Sequence, residues 1–471
     1  MKKVKLILLI TLGIIIVGAS SLYAFRKTTE KTIVILLYDD FTMLEAVGAY
    51  QTFPGLMMSN YKMKFVAKEK GIIKSSHIQT LNADYSFEDI KEADILYLPG
   101  GENIEAILND QTTINWIKNI DATSEHTMSV GSGTLLLAKA GLLKEKKAAT
   151  HWYHKTELEK FGATYTTENY VKDGKYHTGM GASASIDMVL SLINDIAGEQ
   201  TAKSMQLFIE YDPAPPVQSR TFKKADSSVV AIAQNLVTKK LKDSVTQNKT
   251  IAMLLYDGFT MLDITGPYQV FKELESLGYK MKFVAKEKGI IPADMILTYD
   301  AEYSLSEVDD ATILFIPGGS LTAAAMKDAE LVNWVNKIDK TTDYTTSVCT
   351  GSLVLAKAGL LKNKNATSHW YTGQFLKDYE ATYSHKRYTI DGKYLTGAGV
   401  SSGIDLALLI VKEAISEDYA KAIQLKIGYF PNPPFDAGSP EKSEQAIVDR
   451  LKGMYSGADK RYNDARDTKI D

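Results

Sequence analysis

Cys349 is the only cysteine of the chain. It lies in the segment 347–352 (SVCTGS), between a strand-like apolar run and a helix-like apolar run. A side chain on such a turn is held above the sheet and faces the free N–H groups that begin the helix. These groups and the helix dipole favour negative charge, so we expect a nucleophilic thiolate with a lowered pKa. From this segment alone, the alternative is a small buried apolar residue.

Three further positions could support a thiolate at Cys349. Asp263 follows the first strand of its unit and could move a proton beside the sulfur, although such an acid could instead cap the next helix. The turn at 317–319 (PGG) lets backbone approach the sulfur, and ordinary turn formation is its alternative explanation. His369 is a second candidate base. It recurs in a part of the chain that has no cysteine, which favours a structural role.

The chain is an internal repeat with a constant offset of 218 residues and no visible insertion or deletion. The sequence YKMKFVAKEKGII occurs at 61–73 and again at 279–291. Gly131 takes in the first copy the position that Cys349 has in the second. A glycine has no side chain with which to attack, so covalent catalysis at that position is excluded. The sequence therefore predicts two copies of one fold and a single nucleophile.

Short apolar strands and helical segments alternate within each unit. In the second unit, the predicted strands are 250–255, 280–285, 311–316 and 344–348, and the predicted helices are 268–277, 330–338 and 353–361. This alternation is typical of a parallel sheet covered by helices on both faces, with ligands beyond the carboxyl ends of the strands. Helical spacing at 229–236 and 447–454 indicates that each unit also ends in a helix.

The N-terminal segment carries an uncharged apolar run at 6–25, flanked by lysines before it and by Arg26 and Lys27 after it. Twenty helical residues span roughly 30 Å, enough to cross a bilayer core. We therefore expect a single-pass membrane anchor with the N-terminus inside and both domains extracytoplasmic. A cleaved signal peptide, which would give a secreted protein, is the alternative.

Four segments follow from these patterns. We predict a membrane-spanning segment at 1–31, a domain without the nucleophile at 32–248, and a domain with the nucleophile at 249–455. The polar stretch 456–471 is expected to be frayed.

Composition excludes several classes of protein. The apolar fraction of 45% and the charged fraction of 24% are those of a globular protein. A net charge of -3 gives no basic surface for nucleic acid. One cysteine excludes an internal disulfide and any cysteine-rich metal site. We expect neither a metal nor a cofactor, and a small molecule as the substrate.

Segments of the second unit resemble the ThiJ/PfpI family of the class I glutamine amidotransferase-like superfamily, and within it the isonitrile hydratases. The matching segments, in the family's order, are 262–268 (LDITGPY), 348–353 (VCTGSL), 366–370 (ATSHW) and 433–440 (PPFDAGSP). The resemblance implies an α/β fold of two tandem flavodoxin-like three-layer sandwiches. It also implies roles for single residues: Cys349 as nucleophile, Asp263 as acid/base, the backbone N–H groups of Gly319 and Thr350 as anion donors, and His369 in support.

The first unit departs from the family pattern where the chemistry would be. It has Gly131 for the cysteine and Glu45 for Asp263, yet its segment 210–213 (EYDP) is closer to the family than 428–431 (GYFP). In the second unit, Thr350 stands where protease-like relatives have a histidine, which argues against a peptidase. Relatives are often homodimers, so we expect the two units to pack as an intramolecular pseudo-dimer.

These observations predict a membrane-anchored enzyme that uses Cys349 on a small electrophile, with the first unit structural. The expected reaction resembles isonitrile hydration to an N-formamide, and a carbonyl compound is another possible substrate. A non-catalytic small-molecule-binding module is the second hypothesis. A redox sensor acting through oxidation of the thiol is the third.

Overall fold

The computed structural model describes residues 30–76, 79–219, 222, 225–238, 249–294 and 297–470. Within these residues, each repeat builds one seven-stranded sheet with helices packed on it. Short antiparallel or parallel strand pairs lie beside each sheet.

The strands of the two repeats correspond one to one along the chain. Those of the first repeat are β1 Lys31–Leu36, β2 Tyr61–Ala67, β3 Gly71–Lys74, β4 Thr80–Ala83, β5 Tyr85–Ser86, β6 Ile95–Leu98, β7 His126–Val130, β8 Lys147–Ala148, β9 Thr164–Tyr165, β10 Tyr170–Asp173 and β11 Tyr176–Gly179. Those of the second repeat are β12 Lys249–Leu254, β13 Tyr279–Ala285, β14 Gly289–Pro292, β15 Thr298–Ala301, β16 Tyr303–Ser304, β17 Ile313–Ile316, β18 Tyr344–Val348, β19 Asn365–Ala366, β20 Thr382–Tyr383, β21 Tyr388–Asp391 and β22 Tyr394–Gly397.

Most helices also recur in matching order. Those of the first repeat are α1 Met43–Thr52, α2 Ile104–Leu108, α3 Gln111–Asp121, α4 Thr134–Lys139, α5 Lys155–Lys160, α6 Ala182–Ala197, α7 Glu199–Phe208 and α8 Ser227–Val237. Those of the second repeat are α9 Met261–Phe271, α10 Thr322–Ala325, α11 Ala329–Asp339, α12 Gly351–Lys357, α13 Ser402–Ala414, α14 Glu417–Lys426, α15 Gln445–Met454 and α16 Ala458–Asp467. Helix α5 corresponds to a 3-10 helix at Gly373–Tyr379, and α16 has no equivalent among the described residues.

Both sheets are mostly parallel, as the alternation of strands and helices predicts. The first has the order β10-β11-β7-β6-β1-β2-β5 and the second the order β16-β13-β12-β17-β18-β22-β21. The central strands are apolar and buried because helices cover both faces. The one departure is at an edge, where β10 and β21 pair antiparallel with β11 and β22. Each sheet is thus mixed rather than wholly parallel.

The prediction of a membrane-spanning helix needs correction. No helix in the part of the chain that the structure describes is long and apolar enough to cross a bilayer. Residues 1–29, which hold most of the predicted segment 1–31, lie outside the described residues. The single-pass topology and the extracytoplasmic location that we inferred from this segment are contradicted and are not retained.

The two repeats pack on each other through equivalent elements. Helices α1 and α9 are in contact across the interface. The terminal helices are exchanged: α8 of the first repeat packs on α14 of the second, and α15 of the second packs on α7 of the first. Each repeat therefore completes part of the other's core.

The C-terminal stretch is folded, which makes the prediction of a frayed tail wrong. Helix α16 buries Ala458, Tyr462 and Ala465, at the i, i+4, i+7 spacing of one helix face. Charged residues separate these three positions in the sequence, so the overall polar composition of the segment does not reveal the apolar face.

Candidate active site

Cys349 occupies the turn between β18 and α12, at the carboxyl end of a central strand. Its φ of 58° lies in the left-handed region, which L-residues with a side chain rarely adopt. The backbone is held there because the Cys349 N–H donates to the carbonyls of Gly397 (3.1 Å) and Ala398 (2.6 Å). Strain of this kind is typical of functional turns.

The Asp263 carboxyl lies next to this turn, in the first turn of α9, and is fully buried. Its Oδ2 accepts a hydrogen bond from the Gly318 N–H at 2.8 Å. Its Oδ1 has no hydrogen-bond partner among the described residues. Burial raises the pKa of Asp263 well above its usual range. The structure thus presents a carboxyl that prefers to hold a proton and has one oxygen available for exchange.

The thiol of Cys349 does not show the lowered pKa that we expected. Burial raises its pKa well above the usual value, and the nearby carboxyls of Asp263 and Glu210 act in the same direction. The Thr350 N–H at the start of the helix favours the thiolate, but it is outweighed. Desolvation disfavours a charged sulfur more than a single helix end stabilises it. The expectation of a free thiolate at rest is therefore wrong.

The two predicted anion donors have different surroundings. The Gly319 N–H donates to Thr350 Oγ1 at 2.9 Å, so a side chain already uses it. The backbone N–H of Thr350 lies beside the Cys349 sulfur. Gly318 is required for this close approach, since a Cβ there would lie 2.5 Å from the Thr350 nitrogen and 2.7 Å from the Cys349 Cβ.

His369 lies at the edge of the same cavity and is buried. Its Nδ1 accepts a hydrogen bond from the Tyr371 N–H at 3.3 Å, and its Nε2 lies 3.4 Å from the Tyr455 hydroxyl. Burial lowers the pKa of His369 to about 4, so the imidazole is neutral near pH 7. A neutral ring with both nitrogens engaged suits a role in holding the site together.

The first repeat contributes a carboxyl to this site through Glu210. This residue follows α7 with a φ of 48° and is buried against the second repeat. Its Oε2 accepts from the Trp370 N–H at 3.3 Å and lies 3.9 Å from His369 Nε2. Its carbonyl accepts from Arg387 Nη1 at 2.7 Å. Burial raises the pKa of Glu210 to about 8.

Gln51 of helix α1 also crosses from the first repeat. Its Nε2 donates to Asp294 Oδ2, and its Oε1 accepts from the Leu262 N–H at 3.2 Å. Asp294 Oδ1 in turn accepts from the Met261 N–H at 3.1 Å. Because Leu262 precedes Asp263, this bridge fixes the first turn of α9 and thereby the position of the acid.

Cys349, Thr350, His369 and Gln51 line a cavity of about 470 Å³, here named the second-repeat cavity. Its wall is largely apolar and includes Phe208, Ile209, Val400, Met454 and Tyr455. Cys349 is at its base and is 5% exposed. Among the residues that the structure describes, no cluster of three or more histidine, cysteine or acidic side chains could hold a metal ion.

The equivalent first-repeat cavity measures about 540 Å³ and has Gly131 at its base. Gly131 has a φ of 57°, almost that of Cys349. Glu45 Oε2 accepts from the Gly100 N–H at 2.7 Å, as Asp263 does from Gly318. The longer acid reaches further, since a Cβ on Gly131 would lie 2.5 Å from Glu45 Oε1. Glu45 thus occupies the space that a cysteine would need.

The two repeats each match the model of the DJ-1/PfpI family, over residues 31–195 and 249–413. The chain belongs to the DJ-1/PfpI family. The resemblance to ThiJ/PfpI proteins inferred from motifs is thereby confirmed, as is the tandem repeat.

This DJ-1/PfpI chain is similar to several characterised or solved proteins. It is 34% identical to isonitrile hydratase of Pseudomonas putida over 202 residues, covering 43% of this chain and 88% of that protein. It is 24% identical to protein DJ-1 homolog A of Arabidopsis thaliana over 362 residues, covering 75% of this chain and 87% of that protein. The crystal structure of a ThiJ/PfpI family protein from Pseudomonas syringae is 34% identical, covers 47% of this chain and 91% of that one, and superposes with a TM-score of 0.45.

Several residues of the site were not found by sequence reasoning. The sequence shows that the segment of Glu210 matches the family, but it does not show that this residue of the first repeat contacts the second. Gln51 and Tyr462 carried no signal, because their place in the cavity depends on how one repeat packs against the other or on how the tail folds.

Proposed function

We propose that the second repeat is a cysteine-dependent hydratase that acts on a small electrophile, with an isonitrile as the best-supported substrate class. The observation that carries this proposal is the strained turn at Cys349, with a buried proton-holding carboxyl beside it at the base of a mostly apolar cavity. The 34% identity to an isonitrile hydratase over nearly the whole of that protein supports the same reaction class.

The raised pKa values of Cys349 and Asp263 indicate how protons would move. Burial disfavours a charge on either group, so the Cys349 thiol and the Asp263 carboxyl are both neutral at rest. Such a pair can react without building up charge if the carboxyl gives up its proton as it accepts the proton of the thiol. The sulfur forms a bond to the isonitrile carbon, the Asp263 carboxyl gives its proton to that carbon, and the thiol proton replaces it on the carboxyl. The product of this step is a thioimidate on Cys349.

Water completes the reaction. It adds to the thioimidate carbon, its protons pass to the nitrogen and to the departing sulfur, and the carbon–sulfur bond breaks. The sum is one isonitrile and one water giving one N-substituted formamide, with the Cys349 thiol restored. In this proposal Asp263 moves the protons and the Thr350 N–H stabilises the sulfur; the raised pKa of Asp263 and the closeness of the Thr350 N–H to the sulfur support these roles.

The test is turnover of isonitriles and α-oxoaldehydes by Cys349→Ala and Cys349→Ser. We expect formamide production to fall by at least about 10³-fold in both variants. The variant carrying Ala should also melt near the wild-type temperature, which would separate lost chemistry from lost fold. Wild-type turnover in either variant would overturn the proposal.

A second candidate function is non-catalytic binding or redox sensing of a small molecule. The observation that favours it is the raised thiol pKa, since an activated cysteine usually has a lowered one. Mass spectrometry of the full chain incubated with an isonitrile decides between the two. A covalent adduct on Cys349 or release of a formamide favours catalysis, and a ligand that binds without either favours binding.

We further propose that the two repeats act as one pseudo-dimer, with the first as an essential partner for the second. Glu210 and Gln51 support this, since both reach from the first repeat into the site. The proposed domain boundaries remain 32–248 and 249–455, and 456–471 is assigned to the second domain because α16 lines its cavity.

A further inference from the structure

Helix α16 has no counterpart among the described residues of the first repeat. The 218-residue offset places the equivalent positions at 240–249, and 240–248 lie outside the residues that the structure describes. Gly457, with a φ of 82°, lets the chain turn sharply from α15 into α16. The end of the chain is thereby directed back over the second-repeat cavity, whose wall includes Ala458, Arg461 and Tyr462.

Two side chains hold this helix in place. Lys357, on the helix that follows Cys349, donates to the carbonyls of Ala465 (2.7 Å) and Arg466 (2.9 Å) at the end of α16. A cation there also complements the negative end of the helix dipole. At the other end, Tyr371 donates its hydroxyl proton to Asp459 Oδ1 at 2.9 Å.

The equivalent lysine and tyrosine of the first repeat make different contacts among the described residues. Lys139, the equivalent of Lys357, lies over the ring of Phe161. Tyr153, the equivalent of Tyr371, is 49% exposed. The lysine and tyrosine thus occur in both repeats, and within the described part of the chain it is in the second repeat that they hold a helix beside the cavity.

Tyr462 is the residue of α16 that reaches the reactive turn. It is buried, and its ring packs on Phe375 at 5.2 Å between centroids. Its hydroxyl lies within hydrogen-bonding range of the Thr350 and Thr322 side chains, whose Oγ1 atoms are 2.6 Å apart. Thr350 directly follows Cys349, so the hydroxyl lies close to any atom bonded to the sulfur.

We propose that α16 closes the second-repeat cavity and that Tyr462 is a specificity-determining residue of that site. Its ring limits the length of the substrate, and its hydroxyl hydrogen-bonds the polar atom next to the carbon that Cys349 attacks. The matching substrate is a short, largely apolar electrophile with one hydrogen-bond acceptor, for which the isonitrile nitrogen qualifies once the sulfur has added. This inference rests on the proposed function of Cys349 only for its activity readout.

The first test needs no enzymatic activity. Cys349 is the only thiol, so alkylation of the full chain by iodoacetamide and by a bulky N-aryl maleimide reports access to the cavity. Tyr462→Ala should raise the rate with the bulky reagent at least tenfold more than the rate with the small one. Lys357→Met should move the ratio in the same direction, and Lys139→Met should leave it at the wild-type value.

The second test uses isonitriles of increasing chain length. Tyr462→Ala should extend turnover to longer substrates. Tyr462→Phe, which keeps the ring, should retain the size limit and lower kcat for the shortest substrate about tenfold with little change in KM. A size limit and alkylation ratio that are unchanged in Tyr462→Ala would overturn the inference. If the wild-type protein turns over no isonitrile but the alkylation ratio responds as expected, the proposed isonitrile hydration is wrong and the closure of the cavity by α16 is supported.

Discussion

The two cavities of this chain share a backbone but differ at the residues that face a ligand. Cys349 and Gly131 have φ values of 58° and 57°, so both repeats build the same tight turn. Around that turn, the second-repeat cavity presents Phe208 where the first-repeat cavity presents Lys426. The Lys426 ammonium is in turn held at 2.6 Å from both oxygens of Glu273. The tight turn therefore persists without the nucleophile and belongs to the fold, whereas the strain of a side chain on that turn is present at Cys349 and absent at Gly131.

Each repeat also reaches into the other's cavity, with unequal results. Glu210 of the first repeat packs beside Trp370 and His369 of the second, and its equivalent Gly428 adopts a φ of 63° next to Gly181 of the first repeat. The first repeat has thus lost its own nucleophile and kept the acid that it supplies to its neighbour. The comparison shows that the first repeat contributes residues across the interface although it has no nucleophile of its own.

The largest difference in turnover should come from replacing the equivalent acids, Asp263 and Glu45, with their amides. We expect Asp263→Asn to lower turnover by roughly 10² to 10⁴, because an amide cannot exchange the proton that the reaction needs. Glu45→Gln should leave turnover at the wild-type level, since its repeat has no thiol. Steady-state rates of the two variants side by side provide the measurement. Equal losses would mean that the acids matter only for folding.

A second contrast exchanges the residues at the base of the first-repeat cavity. Gly131→Cys should lower the free energy of unfolding by about 1 to 3 kcal/mol, because the new Cβ would overlap Glu45. Adding Glu45→Asp should recover the part of that loss that comes from the overlap, while the strain of a side chain at a φ of 57° remains. Chemical denaturation of the single and double variants in a Cys349→Ala background measures both. A single variant as stable as its parent would contradict the proposed overlap.

The sequence was sufficient for the repeat, the strand and helix order, the turn at Cys349 and the proximity of Asp263, because periodicity and motif order encode them locally. It failed where distant segments meet. The exchange of α8 and α15 and the approach of Glu210 to His369 depend on packing between repeats. The fold of α16 over the cavity depends on contacts with distant segments of its own repeat. The direction of the thiol pKa was missed for the same reason, since burial by these segments outweighs the helix end that the motif revealed.

A smaller effect is expected on the rate of Cys349 alkylation, which should depend on Glu210 and not on its neighbour Asp212. In Glu210→Gln the carboxylate charge that raises the pKa of Cys349 is absent, so alkylation at pH 9 should be about threefold to tenfold faster. Asp212→Asn is the matched control, because Asp212 pairs with Lys442 at 2.7 Å on the surface. The midpoint pH of alkylation measures the shift. An equal shift of the midpoint pH in Glu210→Gln and Asp212→Asn would mean that either substitution disturbs the packing of the segment, and that the charge of Glu210 has no specific effect on Cys349.

The smallest expected effect concerns the pH dependence of stability. Burial raises the pKa of Glu45 to about 7, so the folded chain keeps a proton that the unfolded chain has lost above pH 4.5. The unfolded state then binds fewer protons, and the free energy of unfolding falls as pH rises, levelling off above the folded-state pKa. Glu45 alone should account for about 1 kcal/mol of that fall between pH 6 and 8. Urea denaturation at both pH values should show a fall smaller by this amount in Glu45→Gln than in wild type. An identical fall in the two proteins would mean that the buried carboxyl is already ionised, and that the first-repeat cavity tolerates the charge that the second excludes.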